Sequence, residues 1–387
     1  MRTAIVGAVL LVVGGVLIAF GVLPPQEALA VVDRVWPILL FVIAITIVTE
    51  LAAEAGLFRE LAHLAARGGL GHTWMLWIIV VVIAVASTVF LSLDTTAVLL
   101  TPVIVLLARH VGVSPLPFAL TTVWLANTGS LLLPVSNLTN LLAQHELRGL
   151  SPLGFATLMA APAVVAIVVP CLVLFVIFRR DLLVRYHPEE PEELGDRVLF
   201  VASAIVVGLL VPLLVSAIPV WIPASAGAVV LLAFFMVRRR SVIRFGLVPW
   251  QIVLLASGLF LVVEAGHALG LGDALAALAG TGEQPLDLLR LSAAAASGAN
   301  LVDNLPAYLA LEPAAGSPAR IAALLIGTNA GPLITPWASL ATLLWHQRLV
   351  SLGVEISWRR YALLGLLVVP LTIVPAVLAL ALAQSAL

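Results

Sequence analysis

Two aspartates stand in unusual company: Asp94 in Ser92-Leu93-Asp94-Thr95-Thr96, and Asp303 in Asp303-Asn304-Leu305-Pro306, each between long apolar stretches. A carboxylate in such surroundings is expensive when charged, and by default it marks an ion or proton pathway. Each could take up and release one proton per working cycle. The structural alternative is capping, because Asp readily accepts backbone N–H bonds at a helix N-terminus. For Asp94 the functional reading is the stronger, since Thr95 and Thr96 open a helix directly behind it. At the second tip, Asn304 is the better candidate for contact with a small molecule. Two further sets of neutral donors and acceptors gather around prolines. Asn127, Thr128, Ser130, Ser136 and Asn137 surround Pro134; Thr328, Asn329, Thr335 and Ser339 surround Pro332 and Pro336. They could line a polar cavity or simply satisfy backbone where a helix breaks.

Other chemistries find no support. No nucleophile pairs with a base, and no glycine-rich phosphate loop is present, so the chain itself does not hydrolyse ATP. Seven histidines (63, 72, 110, 145, 187, 267 and 346) fall at expected helix ends or loops, without metal-ligand spacing. The single Cys171, beside Pro170, excludes a disulfide framework or a multi-cysteine metal site within one chain. No cofactor, metal or nucleic acid is implied.

The elements that hold these residues follow from composition. The chain is 62% hydrophobic and 10% charged, with a mean hydropathy of +1.18. That is too apolar for a soluble fold of this length. Several stretches reach the roughly 20 residues that cross a bilayer. The order also repeats. Trp36 precedes Glu50 and Gly56-Leu57 by the intervals that separate Trp250 from Glu264 and Gly270-Leu271. Leu93-Asp94 aligns with Asp303-Asn304, and Asn127 and Pro134 align with Asn329 and Pro336, at offsets of 214, 210, 202 and 202. Two related apolar halves, interrupted at matching places, are the signature of a secondary transporter.

All 19 basic residues are arginines, and arginine-rich loops belong in the cytoplasm. On that rule the N-terminus lies inside. The expected fold is all-α and polytopic, with two inverted repeats, about nine spanning helices, two re-entrant hairpins and two broken helices. Spans fall at about 3–23, 35–55, 153–178, 198–217, 221–237, 249–268 and 358–384. The hairpins cover about 73–108 and 286–313, with tips near 92–96 and 302–306. The broken helices cover 116–146 and 319–345. The first repeat is 1–180, a hydrophilic cytoplasmic linker is 181–197, and the second repeat, with one extra span, is 198–387. Arg2, the first apolar run and Ala28-Leu29-Ala30 also fit a cleaved signal peptide, although the run is long for one. Glu50 and Glu264 are repeat-matched near opposite span ends, where an ion pair or a water-facing position is expected before a coupling role. Arg290 and Arg320 read as snorkelling anchors. Arg238 to Arg240 and Arg244 read as determinants of topology.

Asn127-Thr128-Gly129-Ser130 through Ser136-Asn137-Leu138-Thr139-Asn140 resembles the "SN-x-x-N" segment of bacterial arsenite efflux permeases. Gly327-Thr328-Asn329-Ala330-Gly331-Pro332, followed by Ser339-Leu340-Ala341-Thr342-Leu343-Leu344-Trp345, resembles that family's "G-x-N-x-G-P" and "G-S-L-A-T-L-L-W" segments. Asp303-Asn304-Leu305-Pro306 is similar to its "N-N-L-P" tip, and Val354 to Tyr361 looks like the start of its last helix. The likeness covers roughly 33–180 and 245–380. It lies within an ion-transporter superfamily that also holds dicarboxylate and citrate carriers and sodium/proton antiporters. Two places depart. The first tip is closer to the carboxylate carriers' "S-N-T-T" than to "N-D-G", and Pro336-Trp337-Ala338 replaces small and glycine residues.

The resemblance implies efflux of arsenite or antimonite across the bacterial inner membrane, driven by proton exchange or assisted by a separate soluble ATPase subunit. Arsenous acid is an uncharged trihydroxy molecule at neutral pH, and it suits a lining of neutral amides and hydroxyls. With one cysteine the protein must recognise this hydroxyl form. The alternative is a Na⁺- or H⁺-coupled carrier of an organic or inorganic anion held at half-helix N-termini. A membrane enzyme or scaffold is the third and weakest alternative.

Overall fold

A computed structural model describes residues 2–147, 150–186, 195–216 and 218–385. Much of the expected linker, 187–194 with His187, lies outside the described residues. The first seven helices are α1 (Arg2–Ala19), α2 (Pro25–Glu54), α3 (Leu57–Gly68), α4 (Thr73–Phe90), α5 (Leu93–His110), α6 (Pro115–Thr128) and α7 (Leu138–Glu146). Next come α8 (Pro152–Leu182), α9 (Arg197–Val215), α10 (Trp221–Arg238), α11 (Trp250–Ala268) and α12 (Leu271–Ala279). The last five are α13 (Pro285–Val302), α14 (Asn304–Leu311), α15 (Pro318–Ala330), α16 (Leu340–Ser351) and α17 (Trp358–Ser385). Among the described residues, eight helices are long and apolar enough to cross a membrane.

Local rules explain most of the boundaries. Proline occupies the first turn of α2, α6, α8, α13 and α15, where its missing N–H costs nothing. Ser151, Asp196 and Ser317 cap α8, α9 and α15 through their side chains. Interior prolines at 37, 162, 170, 212, 370 and 375 are tolerated in the long helices, as is usual within a bilayer. On α8 the residues Val164, Val168, Leu172 and Val176 recur every fourth position and are all exposed. Leu363, Leu367 and Leu371 do the same along α17, and Val374, Leu378 and Leu382 carry the exposed stripe on at steps of three and four. Apolar stripes of this extent face lipid.

The element order repeats. A long helix, a short helix, a two-armed hairpin, a broken helix and a long helix occur as α2 to α8 and again as α11 to α17. Helices α9 and α10 separate the two sets and pack with α2, while α1 lies along α11. That last contact is backbone-close. A Cβ on Gly258 would meet Leu10 Cβ at 2.7 Å, and one on Gly14 would meet Leu261 Cβ at the same distance. Small residues permit such approach where lipid supplies no hydrophobic drive between helices.

Several elements differ from expectation. Helix α2 begins ten residues earlier than the 35–55 span, because Pro24-Pro25 starts a helix while Asp33 and Arg34 lie within it. Helices α3 and α12 fill intervals between the expected spans and hairpins. In α3, Phe58, Ala62, Ala65 and Ala66 are buried at helical spacing, a stripe that the 3.6-residue period reveals. His63 and His346 sit inside helices rather than at their ends, and His346 stacks on Trp358 with centroids 4.0 Å apart. Arg320 does not snorkel. It is buried and donates to the carbonyls of Ala279, Gly280, Gly282 and Ala314, with Arg290 reaching Ala277 and Leu278 beside it. Together they satisfy the orphan carbonyls at the C-terminus of α12.

Candidate functional site

The two hairpins turn in the same way. Between α4 and α5, Ser92 has φ 155° and ψ 166°; between α13 and α14, Asp303 has φ 142° and ψ 159°. This region belongs almost entirely to glycine and costs about 1–3 kcal/mol for other residues. Each of the two then caps the following helix. Ser92 Oγ accepts from Thr95 N at 3.2 Å, and Asp303 Oδ1 accepts from Leu305 N at 3.1 Å. The backbone therefore matches Ser92 to Asp303. The alignment that put Leu93 opposite Asp303 is displaced by one residue, and Asp94 is no counterpart of Asp303. It stands two residues inside α5, free of capping duty, and among the described residues no group donates to its carboxylate. A π-turn over Thr96–Leu100 follows at once; these are rare and frequent at functional sites.

Both broken helices present a second pair of N-termini. Asn137 caps α7, its Oδ1 accepting from Thr139 N, and Ser339 occupies the same position before α16. The residues at the four N-cap positions, Ser92, Asn137, Asp303 and Ser339, all line one cavity of about 80 Å³. Asp94, Ser136, Asn304 and Thr46 join them, with apolar walls from Phe41, Ile45, Leu255 and Ala256 of α2 and α11. The lining holds two carboxylates and, among the described residues, no basic side chain. Ser339 Oγ is buried without a hydrogen-bond partner. A second cavity of about 340 Å³ adjoins the first, sharing Thr46, Ser92 and Asp94 and adding Thr49, Glu50 and Thr95.

The remaining expected site residues lie behind this lining. Thr96 donates to Ser87 Oγ at 2.9 Å and accepts from Thr88, fastening the first hairpin's arms. Asn127 donates to Val123 O, Ser130 to Asn127 O and Thr328 to Leu324 O, all within or just beyond their own helices. Thr128 is buried beside them with no partner for its hydroxyl. Asn329 ties one break to the other. Its Oδ1 accepts from Asn137 Nδ2 at 2.7 Å and Thr139 Oγ1 at 3.1 Å, and its Nδ2 donates to Asn140 Oδ1 at 2.7 Å. Thr335 donates to Asn300 O. The cavity thus gathers Asp94, Asp303, Ser136, Asn137, Asn304 and Ser339, and Thr95 borders the adjoining space.

Two participants escaped the sequence. Ser92 was passed over because a serine at a turn carries no obvious chemistry. Asn300 is the organiser of the second break: its Nδ2 reaches Ala296 O and Gly331 O, and its Oδ1 accepts from Ile334 N and Thr335 N. Trp337, which stands where small residues are usual, donates its indole N–H to Asn300 O at 2.9 Å. A repeat offset of 211, taken from the tips, would have placed Asn300 opposite Val89, whose carbonyl accepts from Ser136 across the first break.

Lipid-facing helices around a cavity that holds two carboxylates with hydroxyl and amide groups, reached by four helix N-termini, define a multi-pass membrane transporter. The comparisons with known proteins agree. The sequence pattern of the citrate transporter family matches residues 2–342. The chain is 31% identical to the arsenical pump membrane protein of Escherichia coli (strain K12), over 94% of this chain and 89% of that one. The corresponding protein of Yersinia enterocolitica is 30% identical, covering 90% and 86%. A silicon efflux transporter of Oryza sativa is 35% identical over a shorter region, 36% of this chain and 27% of that one. Among solved structures, the Alcanivorax borkumensis YdaH transporter has the same fold, with a TM-score of 0.57, 16% identity and coverage of 99% and 98%. The chain belongs to the arsenical pump membrane protein family, within the wider citrate transporter family.

Proposed function

We propose that this protein exports arsenite or antimonite as the neutral hydroxide in exchange for protons, with Asp94 as the proton carrier. The site lies at the midplane of the bacterial inner membrane, between two inverted repeats whose hairpins are re-entrant, and the N-terminus is cytoplasmic. The observation that carries the reading is the balance of charge around the cavity. Each helix N-terminus contributes about +0.5 charge, so four contribute roughly +2. Two ionised carboxylates contribute −2. A site that is close to neutral overall, with free hydroxyl and amide groups, favours an uncharged polyhydroxide over a multiply charged anion.

Protonation of Asp94 would leave the cavity net positive, and loss of the proton would restore the balance. The two forms therefore differ in what they hold well, as exchange requires. Asp303, already committed to Leu305 N, serves the tip more than the proton. Substrate oxygens and hydroxyl protons would meet Ser339 Oγ, Asn304 and Ser136. Silicon and trivalent arsenic share the relevant chemistry, each forming an uncharged hydroxide in neutral water. A soluble ATPase partner would add drive to this same route.

The second reading, a Na⁺- or H⁺-coupled anion carrier, draws on the four converging N-termini and on the citrate transporter family pattern. It is the weaker, because a citrate-like anion would confront Asp94 and Asp303 with no basic side chain among the cavity's lining residues. Arsenite accumulation in everted vesicles under an inward-acidic gradient tests the choice. Uptake that collapses with the gradient supports exchange. Sodium-dependent citrate or dicarboxylate flux without arsenite uptake would replace it with the anion carrier.

A further inference from the structure

Glu50 is the residue the exchange reading leaves unused. It sits on α2 one turn beyond Thr46, a rise of about 6 Å, and Thr46 lines both the central cavity and the adjoining one. Glu50 and Asp94 are the two carboxylates lining that adjoining cavity. The hydroxyls of Thr46 and Thr49, both in that lining, donate back to Val42 O and Thr46 O of their own helix and keep their lone pairs for water. The cavity's volume, about 340 Å³, is ample for a file of waters.

The charged groups facing Glu50 are Arg348 of α16, Arg244 of the segment before α11, and Glu54 on its own helix. Both arginines are exposed, and neither forms an ion pair with Glu50 at bonding distance. Its repeat-matched twin is placed differently. Glu264 shares a separate cavity with Arg34, Glu146, His267 and Glu312. There Arg34 bonds Glu312 at 2.5 Å and approaches Glu146 at 3.4 Å, while Tyr308 donates to Glu312 at 2.8 Å. At that end Arg34 holds Glu146 and Glu312, while Glu264 stands beside them without an ion pair of its own among the described residues. At the Glu50 end a carboxylate stands loose, in a space that reaches Asp94.

We propose that Glu50 is the proton relay between Asp94 and solvent at this mouth of the protein. The step rests on the exchange reading above. Protonated Asp94 gives its proton through cavity water to the Glu50 carboxylate, leaving Asp94 ionised and Glu50 neutral. Glu50 then passes the proton to bulk water and returns to the carboxylate.

The test uses the full chain in proteoliposomes with radiolabelled arsenite, comparing wild type with Glu50→Gln and Glu50→Asp. Two rates are measured: uptake driven by a pH gradient across a range of pH, and arsenite–arsenite counterflow at equal pH, which needs no net proton release. Glu50→Gln is expected to slow gradient-driven uptake about a hundredfold, the low end for a positioned proton-transfer group, and to flatten its pH profile. Counterflow should persist, and Glu50→Asp should restore most of the driven rate. A driven rate and profile in Glu50→Gln equal to wild type would overturn the relay alone. Loss of counterflow together with driven uptake would also overturn it, by making Glu50 structural. A wild type without driven arsenite uptake would overturn the exchange reading and the relay with it.

Discussion

The two hairpin tips share a backbone and divide the labour differently. At the first, Ser92 takes the strained conformation and the cap, and Asp94 is left unbonded toward the cavity. At the second, one residue does both jobs: Asp303 is strained, and its own carboxylate is the cap. Their settings differ as well. Leu91 and Leu93 beside the first tip are buried, whereas Leu301 and Val302 beside the second are 76% and 61% exposed. Residue type alone would make the two aspartates equivalent. Position within the turn separates a carboxylate left unbonded from one fixed as a cap.

The sharpest way to break the comparison is to neutralise each carboxylate in turn. Asp94→Asn is expected to lower gradient-driven arsenite uptake about a hundredfold or more, because an amide cannot carry the proton. Asp303→Asn keeps the cap, since an amide oxygen still accepts from Leu305 N, and should lower uptake well short of the Asp94 effect, through the negative charge it removes from the cavity. Parallel transport assays on the two variants decide it. Equal losses would make the tips functionally alike and return both aspartates to the coupling role.

The next effect concerns the frame that holds both tips. Asn329→Ala strips partners from Asn137, Thr139 and Asn140 together, and unsatisfied buried amides should cost about 2–3 kcal/mol. Thermal unfolding in detergent micelles should show this as a lowered midpoint. Asn300→Ala should act comparably on the second break, where a single side chain holds Ile334 N, Thr335 N and Gly331 O. Midpoints equal to wild type would mean that the breaks hold without these ties.

How much of this was legible in the sequence follows from what each signal encodes. Hydropathy located the spans, because the bilayer imposes length directly, and recurring Asn and Pro residues marked broken helices within 116–146 and 319–345. Spacing located Asp94. It could not tell Asn137, which lines the cavity, from Asn329, which faces protein, because both are amides in similar motifs and only packing between the halves separates them. The alignment by residue likeness slipped by one at the tips. The strained φ that relates Ser92 to Asp303 leaves no mark in side-chain chemistry. Arg320 misled for a related reason: an arginine at an expected helix end reads as an anchor until α12, itself unseen, supplies the carbonyls it binds.

Smaller effects sharpen the division at the second tip. Asp303→Ala removes the cap and should cost about 1 kcal/mol, where Asp303→Asn costs little. Unfolding midpoints of the two variants measure the capping contribution apart from charge. An alanine variant as stable as the asparagine one would show that the cap adds nothing there.

The smallest effect tests whether the first tip stores strain for its geometry. Ser92→Ala loses the bond from Thr95 N and keeps the unfavourable φ of 155°, so it should be destabilised by about 1 kcal/mol. Ser92→Gly loses the same bond, yet glycine caps nearly as well as serine, within a few tenths of a kcal/mol. It also relieves conformational strain of about 1–3 kcal/mol. The glycine variant should therefore unfold at or above the wild-type midpoint, and the alanine variant below it. If both fall together, the turn is held by the Ser92 hydroxyl rather than imposed on it. The freedom of Asp94 would then depend on a neighbouring serine doing the work that Asp303 does for itself.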